Sequence, residues 1–380
     1  MKILYIQCGL GNQMFQYAYL KYLESRGVRN IRIDASAPSL RKHAGFELRR
    51  VFPAIDAQRE RFLSYGAGRT LHLLGDVMKK GFRCSLETEG EGEDRTVIPW
   101  GKVWLRGYWQ EARFAEAVRD ELLEDFRFRE FTDEANREIA EEIVSCPSVG
   151  IHLRGGDYRM PAIRPVFGDI CTPEYYREAI RYVRERVPGA RLFVFTNEPE
   201  WAARNYDLED AVFVNGNMGA ESYRDMQLMS LCRHNIIANS SFSWWGAWLN
   251  RNPEKIVVCP AKWFHNYPAE FTDGIVPAGW HRIGRPVPNV TLKAGFEIEE
   301  ADLRNVLGQQ YADFELLAMD FPTMEDPRVK KMEGTEAAGN HVLEMKPEEL
   351  PRFADRKYLE KKLIAYFENQ LINHQPELIL

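Results

Sequence analysis

Three segments of the chain gather residue types that can bind a phosphorylated or sugar ligand. The first is Gly9-Leu10-Gly11-Asn12-Gln13-Met14-Phe15. Glycines between a strand and a helix let a phosphate or sugar approach the backbone and the helix N-terminus. Asp34 ends the next strand and imitates the acidic residue of a dinucleotide site, but Met14 stands where the third glycine of that fingerprint belongs. A tight strand-to-helix turn without a ligand explains the same residues. The second segment is His152-Leu153-Arg154-Gly155-Gly156-Asp157-Tyr158. An arginine at a strand end, followed by two glycines, sets a permanent fork of donors beside an open loop, which suits a diphosphate. His152 and Asp157 can orient Arg154 or take part in proton transfer; the plain alternative is a buried Arg–Asp pair holding a loop. The third segment runs from Cys232 to Gly246 and contains Asn239-Ser240-Ser241-Phe242-Ser243-Trp244-Trp245. An apolar strand delivers this polar cluster, and Ser240, Ser241 and Ser243 can cap the following helix, whose free N–H groups would face an anion. The tryptophans read as core in preference to a sugar platform.

Several chemistries have no candidate. There is no Asp-x-Asp motif for a metal-bridged diphosphate and no zinc-ligand spacing. A Gly-x-Ser-x-Gly elbow and a phosphate-binding loop of the Gly-x4-Gly-Lys-Ser/Thr type are also missing.

The elements that must position these segments alternate. Lys2 to Gln7 reads as a strand, Gly9 to Asn12 as a turn, and a helix follows from Met14, with Gly27 as its stop. A strand from Asn30 to Asp34 completes a βαβ unit. Helical patterns run from Phe114 to Phe126 and from Thr132 to Ile143, and Cys146-Pro147-Ser148 marks a boundary. A second series follows: strands at Val149–Leu153, Arg191–Phe195, Ala211–Asn215, Asn235–Ala238 and Lys255–Cys259, with helices between them. Thr172 and Pro173 are the expected cap and first residue of the helix reaching Val187. Such alternation predicts parallel sheets in two doubly wound halves. From Arg285 the alternation is lost, and near the end Leu359, Leu363, Tyr366, Phe367 and Leu371 share one helix face that packs on the protein itself.

Charge divides at the same place. The chain has 50 Lys+Arg and 56 Asp+Glu over 380 residues, and from Arg285 onward it holds 12 basic and 18 acidic. The whole net charge of −6 therefore sits in the tail, and the body is neutral. Nucleic acids and anionic membranes need a basic footprint that this chain lacks. A hydrophobic fraction of 45% excludes wholesale disorder. The acidic run Glu87–Asp94 reads as a solvated loop. No stretch is apolar for long enough to span a bilayer, and the apolar start is too short for a signal peptide. The six scattered cysteines read as reduced, mostly buried thiols.

Together the motifs resemble the bacterial α-1,2-fucosyltransferases, glycosyltransferase family eleven. The resemblance runs from about Lys2 to Ile283 through Gly9–Ala18 (GLGNQMFQYA), Leu105–Gln110 (LRGYWQ), His152–Tyr158 and the long segment Tyr223–Leu249, and Pro260–Trp263 and Trp280 continue it. It implies a GT-B-like fold: an N-terminal Rossmann-like domain on the acceptor side (1–145), a GDP-fucose-binding Rossmann-like domain (146–284), and an acidic, partly helical extension of unknown role (285–380). It implies inverting transfer of L-fucose from GDP-β-L-fucose to the 2-hydroxyl of a terminal β-galactoside, in surface-glycan or O-antigen synthesis. Metal and other cofactors are not expected. The setting implied is cytoplasmic, at the inner face of the membrane, with peripheral association and no transmembrane segment.

The site residues follow by motif. Arg154 matches the family arginine associated with the donor's β-phosphate, with His152 and Asp157 as organisers or bases and Asn12 and Gln13 beside the transferred sugar. Gly9, Gly11, Tyr158, Asn239, Ser240, Ser241, Phe242 and Ser243 complete the donor site. Two departures stand out: the family's second arginine is Gly155 here, and its Phe-Ser-Asp-Asp segment is Phe195-Thr196-Asn197-Glu198. A dinucleotide-dependent oxidoreductase and a glycan-binding relative without turnover remain the alternative readings.

Overall fold

The computed structural model describes residues 2–42, 44–68, 70, 104–206, 208, 210–265, 273–284, 289–309, 311, 313–322, 326–332, 337 and 341–373. The Glu87–Asp94 run lies outside them. Near-continuous apolar strands form sheets covered on both faces, and their pairing is parallel. β1 (Lys2–Tyr5), β2 (Ile31–Asp34) and β3 (Trp104–Leu105) make a sheet in the order β2-β1-β3. The larger sheet holds β4 (Ser148–Leu153), β5 (Arg191–Thr196), β6 (Val212–Val214), β7 (His234–Ile236), β8 (Val257–Pro260) and β9 (His281–Ile283). Its order is β6-β5-β4-β7-β8-β9, all parallel. The order reverses between β4 and β7, and the crevice beyond their carboxyl ends is where open α/β sheets take ligands. The α/β class and the GT-B-like pairing of two doubly wound halves are both present.

The two halves share a core. The Ser241–Leu249 helix follows β7 in the larger sheet, yet Trp244, Trp245 and Trp248 bury themselves among residues of the first half. Phe15 lies 4.6 Å from the Trp244 ring and 5.0 Å from that of Trp245. Burying a side chain of this size contributes roughly 1.5–3 kcal/mol. The tryptophans are core, as their sequence context suggested.

Two expectations need correction. The first helix spans Leu10–Ser25, so Gly11, Asn12 and Gln13 form its first turn and are not part of a preceding loop. Cys8 makes the early start possible: its φ of 64° turns the chain sharply, and Gly9 follows as the extended N-cap. The tail is the second correction. It continues the strand-helix alternation with β10 (Val290–Glu297), β11 (Phe314–Asp320), β12 (Val329–Lys331) and β13 (His341–Glu344) in a parallel sheet ordered β12-β11-β10-β13. Polar strand residues hid it: Thr291 and Glu315 are buried side by side and bonded at 2.7 Å, and Lys330 pairs with Glu315 at 2.8 Å. Leu359, Leu363 and Phe367 of the final helix, Tyr358–Asn373, pack into this domain's own core.

Candidate active site

The first turn of the Leu10–Ser25 helix is held from below. Gln13 is fully buried; its amide donates to the carbonyls of Cys8 at 2.8 Å and Gly45 at 2.9 Å, and its oxygen accepts the Glu47 N–H at 2.9 Å. Glu47 in turn accepts the Leu10 N–H at 3.1 Å and pairs with Arg50 at 2.9 Å. Burial pushes the Glu47 carboxyl above its usual range, with Arg50 opposing. Arg50 reaches across to the Ala220 carbonyl, tying this half to the loop after β6. Asn12 faces the open side, where its oxygen accepts the Gln110 amide at 2.5 Å. Trp109, at φ 47°, is the second left-handed residue beside this turn.

A second helix start meets the first. A Cβ on Gly11 would lie 2.6 Å from the Ser241 carbonyl carbon and 2.7 Å from the Phe242 nitrogen, so the two backbones touch. Trp245 Nε1 donates to the Gly11 carbonyl at 3.0 Å and locks the pair. No serine side chain caps the Ser241–Leu249 helix: Ser243 is fully buried and donates to the carbonyls of Ala238 and Ser240. Capping was the expected role of these serines. Its absence leaves the first-turn N–H groups to the cleft. At the far end Lys255 binds the carbonyls of Ala247, Trp248 and Asn250 at 2.8, 3.2 and 2.7 Å. Burial pulls this ammonium down to about 8. The helix dipole is thus complemented at its C-terminus and open at its N-terminus.

β4 delivers the cation. Arg154 Nη2 donates to Asp157 at 2.7 Å, and the guanidinium stands 5.1 Å from the Tyr158 ring centre. Tyr158 donates to the Asn239 carbonyl at 3.0 Å, and burial raises its hydroxyl far above the ordinary value. His152, two residues earlier, is 5% exposed and 5.7 Å from the Phe242 ring. Burial, reinforced by Arg154, pushes its pKa down to about 3. A ring that stays neutral across the working range accepts protons poorly.

These pieces enclose a cavity of about 910 Å³. Of the residues named from the sequence, Gly9, Gly11, Asn12, Arg154, Asp157, Tyr158, Asn239, Ser240, Ser241 and Phe242 line it; Gln13, His152 and Ser243 sit behind its wall. Three carboxylates reach it, from Glu47, Glu111 and Asp157. Glu47, Ala220 and Phe167 also line it and carry no motif, because tertiary contact alone brings them in; Trp263 lines it too and had a signal, the Pro260–Trp263 segment. Gln110 had a signal, the LRGYWQ segment. Asp34 does not line the cavity; it accepts the Ser36 N–H at 2.9 Å, and Gly68 lies against its carboxylate.

Residues 2–283 match the sequence profile of Glycosyl transferase family 11. The chain belongs to that family. An alpha-1,2-colitosyltransferase of Escherichia coli is 31% identical over 72% of this chain and 96% of its own. The O-antigen biosynthesis glycosyltransferase WbnK of Escherichia coli is 30% identical over 67% and 92%. Galactoside alpha-(1,2)-fucosyltransferase 2 of Pongo pygmaeus is 26% identical over 63% and 66%. Among solved structures, NodZ alpha-1,6-fucosyltransferase soaked with GDP-fucose covers 65% of the chain and 92% of its own at 15% identity and a TM-score of 0.37.

In this family 11 glycosyltransferase Gly155 is closely packed. A Cβ there would lie 2.5 Å from Glu198 Oε2 and 3.1 Å from the Trp201 ring. Glu198 is fixed by Arg159 at 2.5 Å, and Arg159 lies 4.8 Å from the Trp201 ring centre. Among the described residues, Arg154 is the arginine that lines the cavity.

Proposed function

We propose that this glycosyltransferase transfers L-fucose from GDP-β-L-fucose, with inversion, to the 2-hydroxyl of a terminal β-galactoside, forming an α-1,2 linkage during surface-glycan or O-antigen synthesis in the cytoplasm. One observation carries the reading: two helix N-termini and the Arg154 guanidinium converge on a single cavity. Breaking the sugar–phosphate bond leaves negative charge on the nucleoside diphosphate, and preorganised N–H groups with a fixed guanidinium stabilise that charge without a metal. The larger sheet would hold the nucleotide, and the Asn12–Gln110 side of the cavity would hold the acceptor. Among the described residues no helix is long and apolar enough to cross a membrane, which fits an enzyme acting beside a membrane-linked acceptor.

A second donor sugar is supported by a specific observation, the relative named as a colitosyltransferase. GDP-fucose and GDP-colitose should therefore be offered in parallel with lactose, in the presence of EDTA, and the products read by mass. A fucosylated disaccharide supports the proposal. A product from GDP-colitose alone reassigns the donor, and no product from either donor overturns the reading.

A further inference from the structure

The C-terminal sheet meets the cleft wall through two half-buried links. Asp313, the residue before β11, takes Lys262 Nζ at 2.6 Å on one carboxylate oxygen and the Nδ1 side of the His265 ring on the other. His265 Nε2 lies 2.7 Å from the Gly168 carbonyl, and the His265 backbone N–H donates to Val166 at 3.0 Å. The ring thus bridges a carboxylate on one side and a backbone carbonyl on the other. His265 is 2% exposed. The second link joins His341 of β13 to Asp169 at 3.0 Å. Asp169 is also gripped by Arg164 at 2.7 and 3.1 Å, and the Arg164 guanidinium lies 4.5 Å from the Phe367 ring of the final helix.

Both links end on segments that line the cavity. The turn around Arg164 carries Val166 and Phe167, and Lys262–His265 brackets Trp263 and Phe264. Asn239, itself in the cavity wall, donates to the Phe167 carbonyl at 3.0 Å and the Trp263 carbonyl at 3.2 Å. A series of buried and half-buried polar contacts thus runs from Asp313 to the wall.

We propose that Asp313 and His341 are positioning residues, and that the C-terminal domain acts as a clamp setting the Phe167–Trp263 wall for the nucleotide sugar. The clamp as a binding device rests on the reading of the cavity as a nucleotide-sugar site; the mechanical link does not. Two measurements separate them. Hydrogen exchange of full-length Asp313→Ala and His341→Gln, compared with wild type, needs no ligand: amides of 163–168 lose protection while those of the Leu10–Ser25 helix keep theirs. Equal protection at 163–168 in both variants overturns the clamp. Titration with GDP comes second. Wild type binding GDP with Asp313→Ala binding about tenfold more weakly is the expected pair, with the donor KM raised by a similar factor and kcat within about threefold. Wild type that ignores GDP refutes the nucleotide-sugar reading alone. Equal GDP affinity in wild type and Asp313→Ala refutes the clamp's role in binding. Lys331→Ala, on an exposed pair with Asp320 in the same domain, leaves both readouts unchanged. If Asp313→Ala does not fold, Asp313→Asn keeps one acceptor oxygen and carries the same tests.

Discussion

Gly11 and Ser241, 230 positions apart in the chain, meet backbone to backbone: a single methyl on Gly11 would come within 2.6 Å of the Ser241 carbonyl carbon. Rigid main chain on the other side cannot rotate away as a side-chain tip could. Gly11→Ala should therefore push the two helix starts apart, costing about 1–3 kcal/mol of stability as overpacking does. Activity should fall much further than folding, because the donors of the two first turns lose their common focus. Urea unfolding and turnover measured on the same preparation check this. Unchanged turnover in a folded Gly11→Ala protein would contradict the arrangement.

Arg154 should be the least replaceable side chain in the cavity. It is stacked near Tyr158, bonded to Asp157, and has no partner arginine at Gly155. Loss of a donor aimed at developing charge costs on the order of 100- to 1,000-fold in kcat. Arg154→Ala should lose at least about 100-fold, and Arg154→Lys should recover little, since an ammonium reproduces neither the fork nor the stacking. Steady-state kinetics with GDP-fucose decide it; near wild-type turnover in the alanine variant would sink the role.

Much of this site was legible because its residues lie directly after strands. Arg154 follows β4, and Asn239 to Phe242 lie just beyond β7, so local pattern and position coincided. The helix starts earlier than local pattern predicts because a non-glycine residue, Cys8, holds the left-handed turn that sequence patterns assign to glycine. The C-terminal sheet is hidden from pattern because buried Thr291 and Glu315 satisfy each other and break the apolar run. Glu47 carries no motif; it matters because Gln13 and Leu10 fold back onto it.

Glu47 and Asp157 can be told apart as proton acceptors. Both are paired with an arginine, Asp157 with Arg154 at 2.7 Å and Glu47 with Arg50 at 2.9 Å, but burial holds the Glu47 carboxyl above its usual range, closer to a working pH. Glu47→Gln keeps one acceptor oxygen, for the Leu10 N–H or for Arg50, loses the other contact, and should lower kcat roughly 100-fold, within the usual range for general-base loss. Asp157→Asn should act mainly on donor KM by loosening Arg154. The pH–rate profile provides the check: the acid limb should vanish in Glu47→Gln and persist in Asp157→Asn. The opposite pattern would reverse the assignment.

Asp225 should make the fold pH-sensitive. It sits at the start of the Tyr223–Leu231 helix, accepts the Asn217 amide at 2.9 Å, and has its pKa raised by burial from 3.8 to about 7, with the Asn217 bond opposing the shift. A raised pKa means that the folded state keeps this proton where the unfolded chain has released it. Its contribution therefore favours folding at low pH, declines as pH rises from about 4 to about 7, and stays at the lower level above that. Asn217 also exchanges bonds of 2.8 Å with Asn136, so the titration of Asp225 bears on the loop after β6 that carries Ala220 into the cavity. Asp225→Asn removes the titration and keeps an acceptor oxygen for Asn217. Urea midpoints at pH 5 and pH 8 should differ less in this variant than in wild type, with the variant the more stable of the two at pH 8. An unchanged difference between the two pH values would show that Asp225 does not carry the dependence.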